Sequence, residues 1–191
     1  MKPDKQRKCR NPECKRLFTP QNGFHVYCDY KCVLKGLAEK YQADEKLLKK
    51  ASQREKIEQK ELQKTHSDYL NDLQAVFNTF IRWRDKGLPC ISCGTTSNVK
   101  YDAGHYYAMG NYQALRFNED NVHLQCSNSC NVHKRGNLHE YRSGLLERIG
   151  ITKLQWLDRH CHDIVKMSIP EIKELILHYK QKIKELKNFA G

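Results

Sequence analysis

The amino-acid sequence predicts a mainly α-helical protein with small β hairpins stapled by bound metal. Three observations lead there. Eight of the nine cysteines fall in close pairs, the stretch 35–86 has no proline and is rich in Ala, Glu, Lys, Gln and Leu, and only 39% of the 191 residues are apolar. So small an apolar fraction rules out a large single core, and something besides burial must help hold the chain together.

The first cysteine set is Cys9, Cys14, Cys28 and Cys32, spaced C-x4-C-x13-C-x3-C, with Pro and Gly turns in the connecting RNPECKRLFTPQNGFHVY. Paired cysteines in a reducing compartment are poor disulfide material and good metal ligands, so residues 1–34 read as a four-cysteine zinc knuckle, with His25 an alternative fourth ligand. Residues 35–87 follow as one long charged helix or a helix pair. Its early apolar positions (Leu37, Tyr41, Leu47, Leu48) drift in period, whereas Tyr69, Leu70, Leu73, Val76, Phe77, Phe80 and Ile81 make a firm i, i+3, i+4 stripe. The first half therefore projects into solvent or pairs with another chain, while the second half packs.

Residues 88–140 hold the second set, Cys90-x2-Cys93 in LPCISCGT and Cys126-x3-Cys130 in LQCSNSCN, with Gly94 suited to a left-handed turn after the second ligand. A second structural zinc here would join the ends of a segment of about 40 residues, and its binding free energy would count toward folding. Between the pairs, Val99 and Tyr101 suggest one strand and Val122 and Leu124 another, with a NED turn before the second and a helical pattern opening after Cys130. Residues 141–191 return to helix, with Thr152/Gln155 and Ser168/Glu171 as capping pairs. Cys161, left over, reads as a packing residue.

A count of 34 Lys+Arg against 22 Asp+Glu gives a formal charge of +12, which favours polyanionic partners such as nucleic acid. No apolar run has the length of a membrane span and no secretory h-region opens the chain, so the expectation is a cytoplasmic protein without membrane contact.

The strand, loop, strand, helix order places Asp102 and His105 at the end of the first strand opposite Asn131 and His133 at the opening of the helix. Phosphodiester hydrolysis needs a base, a cation to stabilise developing charge, and groups that align them. His105 can serve as the base because imidazole titrates near neutrality, and Asp102 and Asn131 offer the hard oxygens that Mg²⁺ prefers; His133 is a competing ligand better suited to Mn²⁺. Arg116, Lys134 and Arg135 flank these residues as candidate contacts to a DNA backbone.

These residues carry a resemblance. Cys90-x2-Cys93, a strand ending in His105, Asn121 on the second strand, and Cys126-x3-Cys130-Asn131 resemble the HNH-type (ββα-metal, treble-clef-like) nucleases with a structural zinc, in particular the phage T4 endonuclease seven type of junction resolvase. Over nearly its full length, through DAGHYY, NVHLQC and CNVHKRGN, the chain is similar to the lambdoid phage NinG (Rap) recombination endonuclease family. The resemblance implies His105 as general base, Asn121 as the residue orienting it through its amide, and Asn131 as ligand of a catalytic Mg²⁺ or Mn²⁺. One position departs: the acidic ligand usually precedes the base directly, and here that place is Gly104, with Asp102 upstream. The implied activity is cleavage of branched DNA, D-loops and Holliday junctions, by a homodimer in the host cytoplasm. A non-catalytic, zinc-dependent DNA-binding protein is the alternative.

Overall fold

A computed structural model describes residues 6–189, so the ends of the predicted first and last segments, 1–5 and 190–191, lie outside the described residues. The chain divides into two compact units between Gln63 and Lys64.

The first unit opens with an antiparallel hairpin, β1 (Arg7–Lys8) and β2 (Leu17–Phe18), that brackets Cys9 and Cys14. Asn11 shapes the turn between them: its carbonyl accepts the amides of Cys14 and Lys15, and its side chain accepts that of Glu13. Helix α1 (Tyr30–Leu62) begins earlier than predicted because Asp29 caps it, its carboxylate taking the Cys32 amide at 2.9 Å. Cys32 therefore sits in the first helical turn, and the cysteine knuckle and the long helix form one unit. Cys32 is the one buried residue of α1; the rest of this helix is solvated, as its drifting apolar period predicts.

The predicted 35–87 segment is thus two helices belonging to different units. The break has a local cause: Thr65 and Asp68 form a reciprocal capping box that starts α2 (His66–Arg84), with Asp68 Oδ2 accepting the Thr65 amide at 2.8 Å. The stripe Tyr69, Leu73, Phe77, Phe80 and Ile81 is buried against Ile172 and Tyr179 of α4 (Ile169–Phe189) and against Ala103 and Val122 of a second hairpin. Each such side chain, fully buried, contributes about 1.5–3 kcal/mol. Ser168 and Glu171 cap α4 as the sequence indicates, the amide and hydroxyl of Ser168 both donating to Glu171 at 2.7 Å.

That hairpin pairs β3 (Tyr101–His105) with β4 (Val122–Cys126), aligning Tyr101 with Cys126 and His105 with Val122. Its opposite face meets α3 (Leu138–His160): the Tyr141 hydroxyl accepts the His123 amide at 3.0 Å and donates to the Gly104 carbonyl at 2.8 Å. Leu145, Leu154, Leu157 and Cys161 build a second core there with Ile91 and Leu115. Gly150, non-helical at φ 78° and ψ 167°, a conformation that suits only glycine comfortably, divides α3 into two helical stretches, the second starting just ahead of the predicted Thr152/Gln155 box. The predicted helix opening at Cys130 also differs: one turn of π-helix spans Ser127–His133, and α3 starts only at Leu138.

Beneath the hairpin lies a charge cluster for which the sequence gives little signal. Asp85, 2% exposed, takes both Arg84 Nε (2.7 Å) and the Leu124 amide (2.9 Å), while Arg84 also donates to the carbonyl of Val122 and to His123 Nδ1. Burial alone would raise the pKa of Asp85. The adjacent His123 ring, the Arg84 guanidinium and the Leu124 amide outweigh it and hold the carboxyl well below the usual carboxylate range.

Candidate functional site

Both predicted cysteine sets converge. In each, the four sulfur atoms lie within 4.8 Å of one another. A tetrahedral zinc with bonds of about 2.3 Å requires neighbouring sulfurs about 3.8 Å apart. The observed separations are 3.4 Å (Cys14–Cys28), 3.8 Å (Cys28–Cys32) and 3.7 Å (Cys90–Cys126 and Cys93–Cys126), so four thiolates fit one zinc at each place. His25 stands outside the first tetrad, its Nδ1 accepting the Gln21 amide and its ring packed edge-on against Phe18.

Backbone amides favour one anionic sulfur at each site, Cys9 and Cys90, while burial and the neighbouring thiols push Cys28 and Cys130 up. Burial works against the Cys90 thiolate, but the amides of Cys126, Cys93 and Ser92 outweigh it and bring the pKa down to about 7. Gly94 (φ 68°) closes the knuckle by returning its amide to the Cys90 carbonyl at 2.9 Å. In the first tetrad, the Cys28 amide points at Cys9 Sγ and the Asn11 side-chain amide at Cys32 Sγ, both at 3.4 Å.

Beside the second tetrad, the π-helical turn carries Asn131 to β3, where its Nδ2 donates to Asp102 Oδ2 at 3.2 Å; Ser127 Oγ donates to the same oxygen at 2.5 Å. His105 lies three residues along β3. Strand alternation puts Asp102 and His105 on opposite faces; Asn131, bonded to Asp102, lines one cleft of about 620 Å³ together with His105 and Arg135. His105 Nε2 lies 3.0 Å from the Arg116 carbonyl. Since a carbonyl can only accept, Nε2 carries the proton and Nδ1 is the ring's basic nitrogen. Burial, helped by the charge of Arg116, holds the His105 pKa below the ordinary imidazole value, against the opposing backbone hydrogen bonds of Arg116 and Ala103.

The glycine at the place of the expected acid has a steric reason. A Cβ at Gly104 would stand 2.4 Å from Oε1 and 2.9 Å from Cβ of Gln125, a fully buried side chain fixed by 2.6 Å bonds to Ser92 and to the Gly136 carbonyl. No carboxylate has room there, and Asp102 is the acid that stands next to Asn131.

Several residues are placed differently from the sequence reading. Asn121, fully buried, does not use its amide on the His105 ring. It holds the loop after β3: Oδ1 accepts the Tyr107 amide (2.8 Å) and Nδ2 donates to the carbonyls of Tyr107 (3.1 Å) and Leu115 (3.0 Å). His133 is exposed and does not line the cleft that Asn131 and Arg135 share. Arg116 turns inward, donating to Gln74 Oε1 at 2.8 Å and lying over the Phe117 ring, so that its carbonyl rather than its guanidinium serves the site. Lys134 is exposed. Sequence reading missed Tyr106, Tyr107 and Tyr112, which line the same cleft; their clustering in HYYAMGNY is the signal that could have found them.

Fold and sites together define a mainly helical protein with small antiparallel hairpins and two four-cysteine clusters that could each hold a zinc ion. Residues 1–189 match the family described as Bacteriophage Lambda NinG protein, and the chain belongs to that family. It is 36% identical to protein ninG of Escherichia phage lambda, over 96% of this chain and 94% of that one, and 35% identical to its counterpart in Salmonella phage P22, over 96% and 95%. Protein ninG of Escherichia phage 933W is 41% identical over 65% of this chain and 61% of its own. No solved structure matches. Among the described residues, no helix is long and apolar enough to cross a membrane.

Proposed function

We propose that this protein is a metal-dependent, structure-specific DNA endonuclease that cuts branched recombination intermediates by phosphodiester hydrolysis. One observation carries the reading: an imidazole with its proton fixed on Nε2 shares a cleft with Asn131, which is itself joined to Asp102. His105 Nδ1 takes the proton of the attacking water, and its lowered pKa keeps it in the basic form at neutral pH. Arg135, on the rim, supplies positive charge to the bound phosphate.

Asp102 and Asn131 are the residues that would hold the divalent ion. Asn131 now presents its Nδ2 to Asp102 Oδ2 at 3.2 Å, so its side chain would have to turn Oδ1 inward to hold the ion beside the carboxylate. Bound there, Mg²⁺ or Mn²⁺ would stabilise the charge that develops on the phosphate and leaving oxygen. A two-fold dimer would set two such clefts against the two arms of a junction.

The test is a four-way DNA junction incubated with protein and Mg²⁺ or Mn²⁺. The parent should nick it, while His105→Ala should bind with unchanged affinity and leave it whole. A parent that cuts no structured DNA with either ion would instead be a zinc-stabilised DNA-binding protein.

A further inference from the structure

The cleft beside His105 has an aromatic wall that hydrolysis does not require. Tyr106, Tyr107 and Tyr112 all line it, half-buried, with ring centroids 4.8 Å apart from Tyr106 to Tyr107 and 4.8 Å from Tyr107 to Tyr112. Two of the rings are anchored through their hydroxyls: Tyr107 donates to Asp158 at 2.6 Å, and Tyr106 accepts from Arg142 at 2.9 Å. Arg142 and Asp158 are in turn paired at 2.8 Å, and Asn121 fixes the backbone of the same loop. A tyrosine that serves only the core would have its ring covered. Here all three side chains, though they also meet Tyr141 (from Tyr106) and His162 (from Tyr112), stay only half-buried where they line a cleft that also contains His105 and an arginine.

Resting on the endonuclease reading, we infer that this wall is a stacking platform for one unpaired base of the DNA strand that is cut. The cleft, of about 620 Å³, has room for a single nucleotide. Stacking on tyrosine is indifferent to base identity, because every base offers a π face, and it favours bases already free of a partner, since no unpairing cost then opposes entry. Branch points and bulges supply such bases. The platform thus gives the enzyme a physical means of choosing structured DNA over plain duplex without reading sequence, and Arg135 meets the phosphate of the same nucleotide.

Binding without added divalent metal tests this separately from cleavage. The probes are a duplex with one bulged nucleotide and the same duplex fully paired. The parent should prefer the bulged probe, and Tyr112→Ala should lose about 5- to 150-fold of affinity for it, the worth of one base–aromatic stack, with little change for the paired probe. Tyr112→Phe should retain the preference, since the ring and not the hydroxyl does the stacking. As a check that does not depend on how a variant folds, 5-iododeoxyuridine at the bulged position of a probe bound to the parent should photocross-link within residues 106–112. A folded Tyr112→Ala that keeps the preference, or a cross-link elsewhere, overturns the platform. If the parent cuts junctions yet shows no preference for the bulge, the platform falls and the endonuclease reading stands.

Discussion

Replacing Asn121 tests the local architecture most sharply, because its amide makes three hydrogen bonds from a fully buried position. Asn121→Ala removes all three and strands the amide and carbonyl of Tyr107, while the Leu115 carbonyl keeps the Asn118 amide at 3.2 Å. At about 1 kcal/mol per bond, with up to 1–3 kcal/mol for each buried group left unsatisfied, the loss should be about 3–5 kcal/mol, a large share of a typical total of about 5–15 kcal/mol. Asn121→Asp discriminates further. The new carboxylate can still accept the Tyr107 amide, but its other oxygen would face two carbonyls with no proton to offer, so burial and repulsion raise its pKa above the unfolded value of about 3.9. A raised acid pKa makes stability greatest below the unfolded value and drains it as pH rises toward the folded value. Asn121→Asp should therefore be markedly less stable at pH 8 than at pH 5 relative to the parent, and at pH 8 less stable than Asn121→Ala. Urea unfolding followed by tryptophan fluorescence is the assay, since both tryptophans, Trp83 and Trp156, lie in the second unit. A variant whose deficit against the parent is the same at both pH values would refute this account of the loop.

The remaining predictions concern metal, charge and rate. Cys126→Ser should reduce bound zinc from two to one per chain and lower the fluorescence-detected midpoint, whereas Cys14→Ser should cause the same metal loss and leave that midpoint in place, because its tetrad lies in the other unit; elemental analysis with urea titration reads both. Asp85→Asn leaves Arg84 without its buried partner and should cost about 3–5 kcal/mol. Because the folded pKa of Asp85 is depressed, that difference should persist from pH 8 to pH 5 and shrink only as pH falls below about 4, which unfolding across that range would show. If His105 is the base, its lowered pKa predicts that cleavage rises with pH with a midpoint below the ordinary imidazole value of about 6.5, as measured by junction nicking under single-turnover conditions.

How much of this was legible beforehand depended on whether local sequence or distant partners set the feature. Both cysteine tetrads could be read because metal ligation imposes spacing, and the α2 stripe because burial on one face imposes period. Ser168 and Glu171 marked the start of α4 for the same local reason. The earlier box, Thr65 and Asp68, carries the same chemistry but uses Asp in place of Glu or Gln, and the long run of helix formers around it hid the break between α1 and α2. Likewise, the pattern after Cys130 looked helical because a π-helical turn keeps polar and apolar residues in nearly helical order. The roles of Asn121 and Arg116 were out of reach: their partners are backbone carbonyls and a Gln on α2, and a carbonyl leaves no trace in residue type.

The hairpin explains why these pieces have to occur together. Two strands of five residues cannot hold a register in water by themselves. Here the register is pinned at both ends and on both faces. Cys126 anchors one end through the metal-binding tetrad, and Asn121, leading directly into β4, anchors the other through the loop it bonds. Helix α2 seals one face with Phe77 and Phe80, and Tyr141 of α3 bridges the two strands on the other. Asp102 and Asn131 lie near the tetrad end, and His105 lies at the Asn121 end. A slip of one residue would exchange the faces of β3, turning His105 away from the cleft and Asp102 away from Asn131 at a stroke. The tetrad and the buried asparagine therefore act on the same strand: they hold a segment too short to hold itself in the one register where His105 and Asn131 line a single cleft and Asp102 meets Asn131.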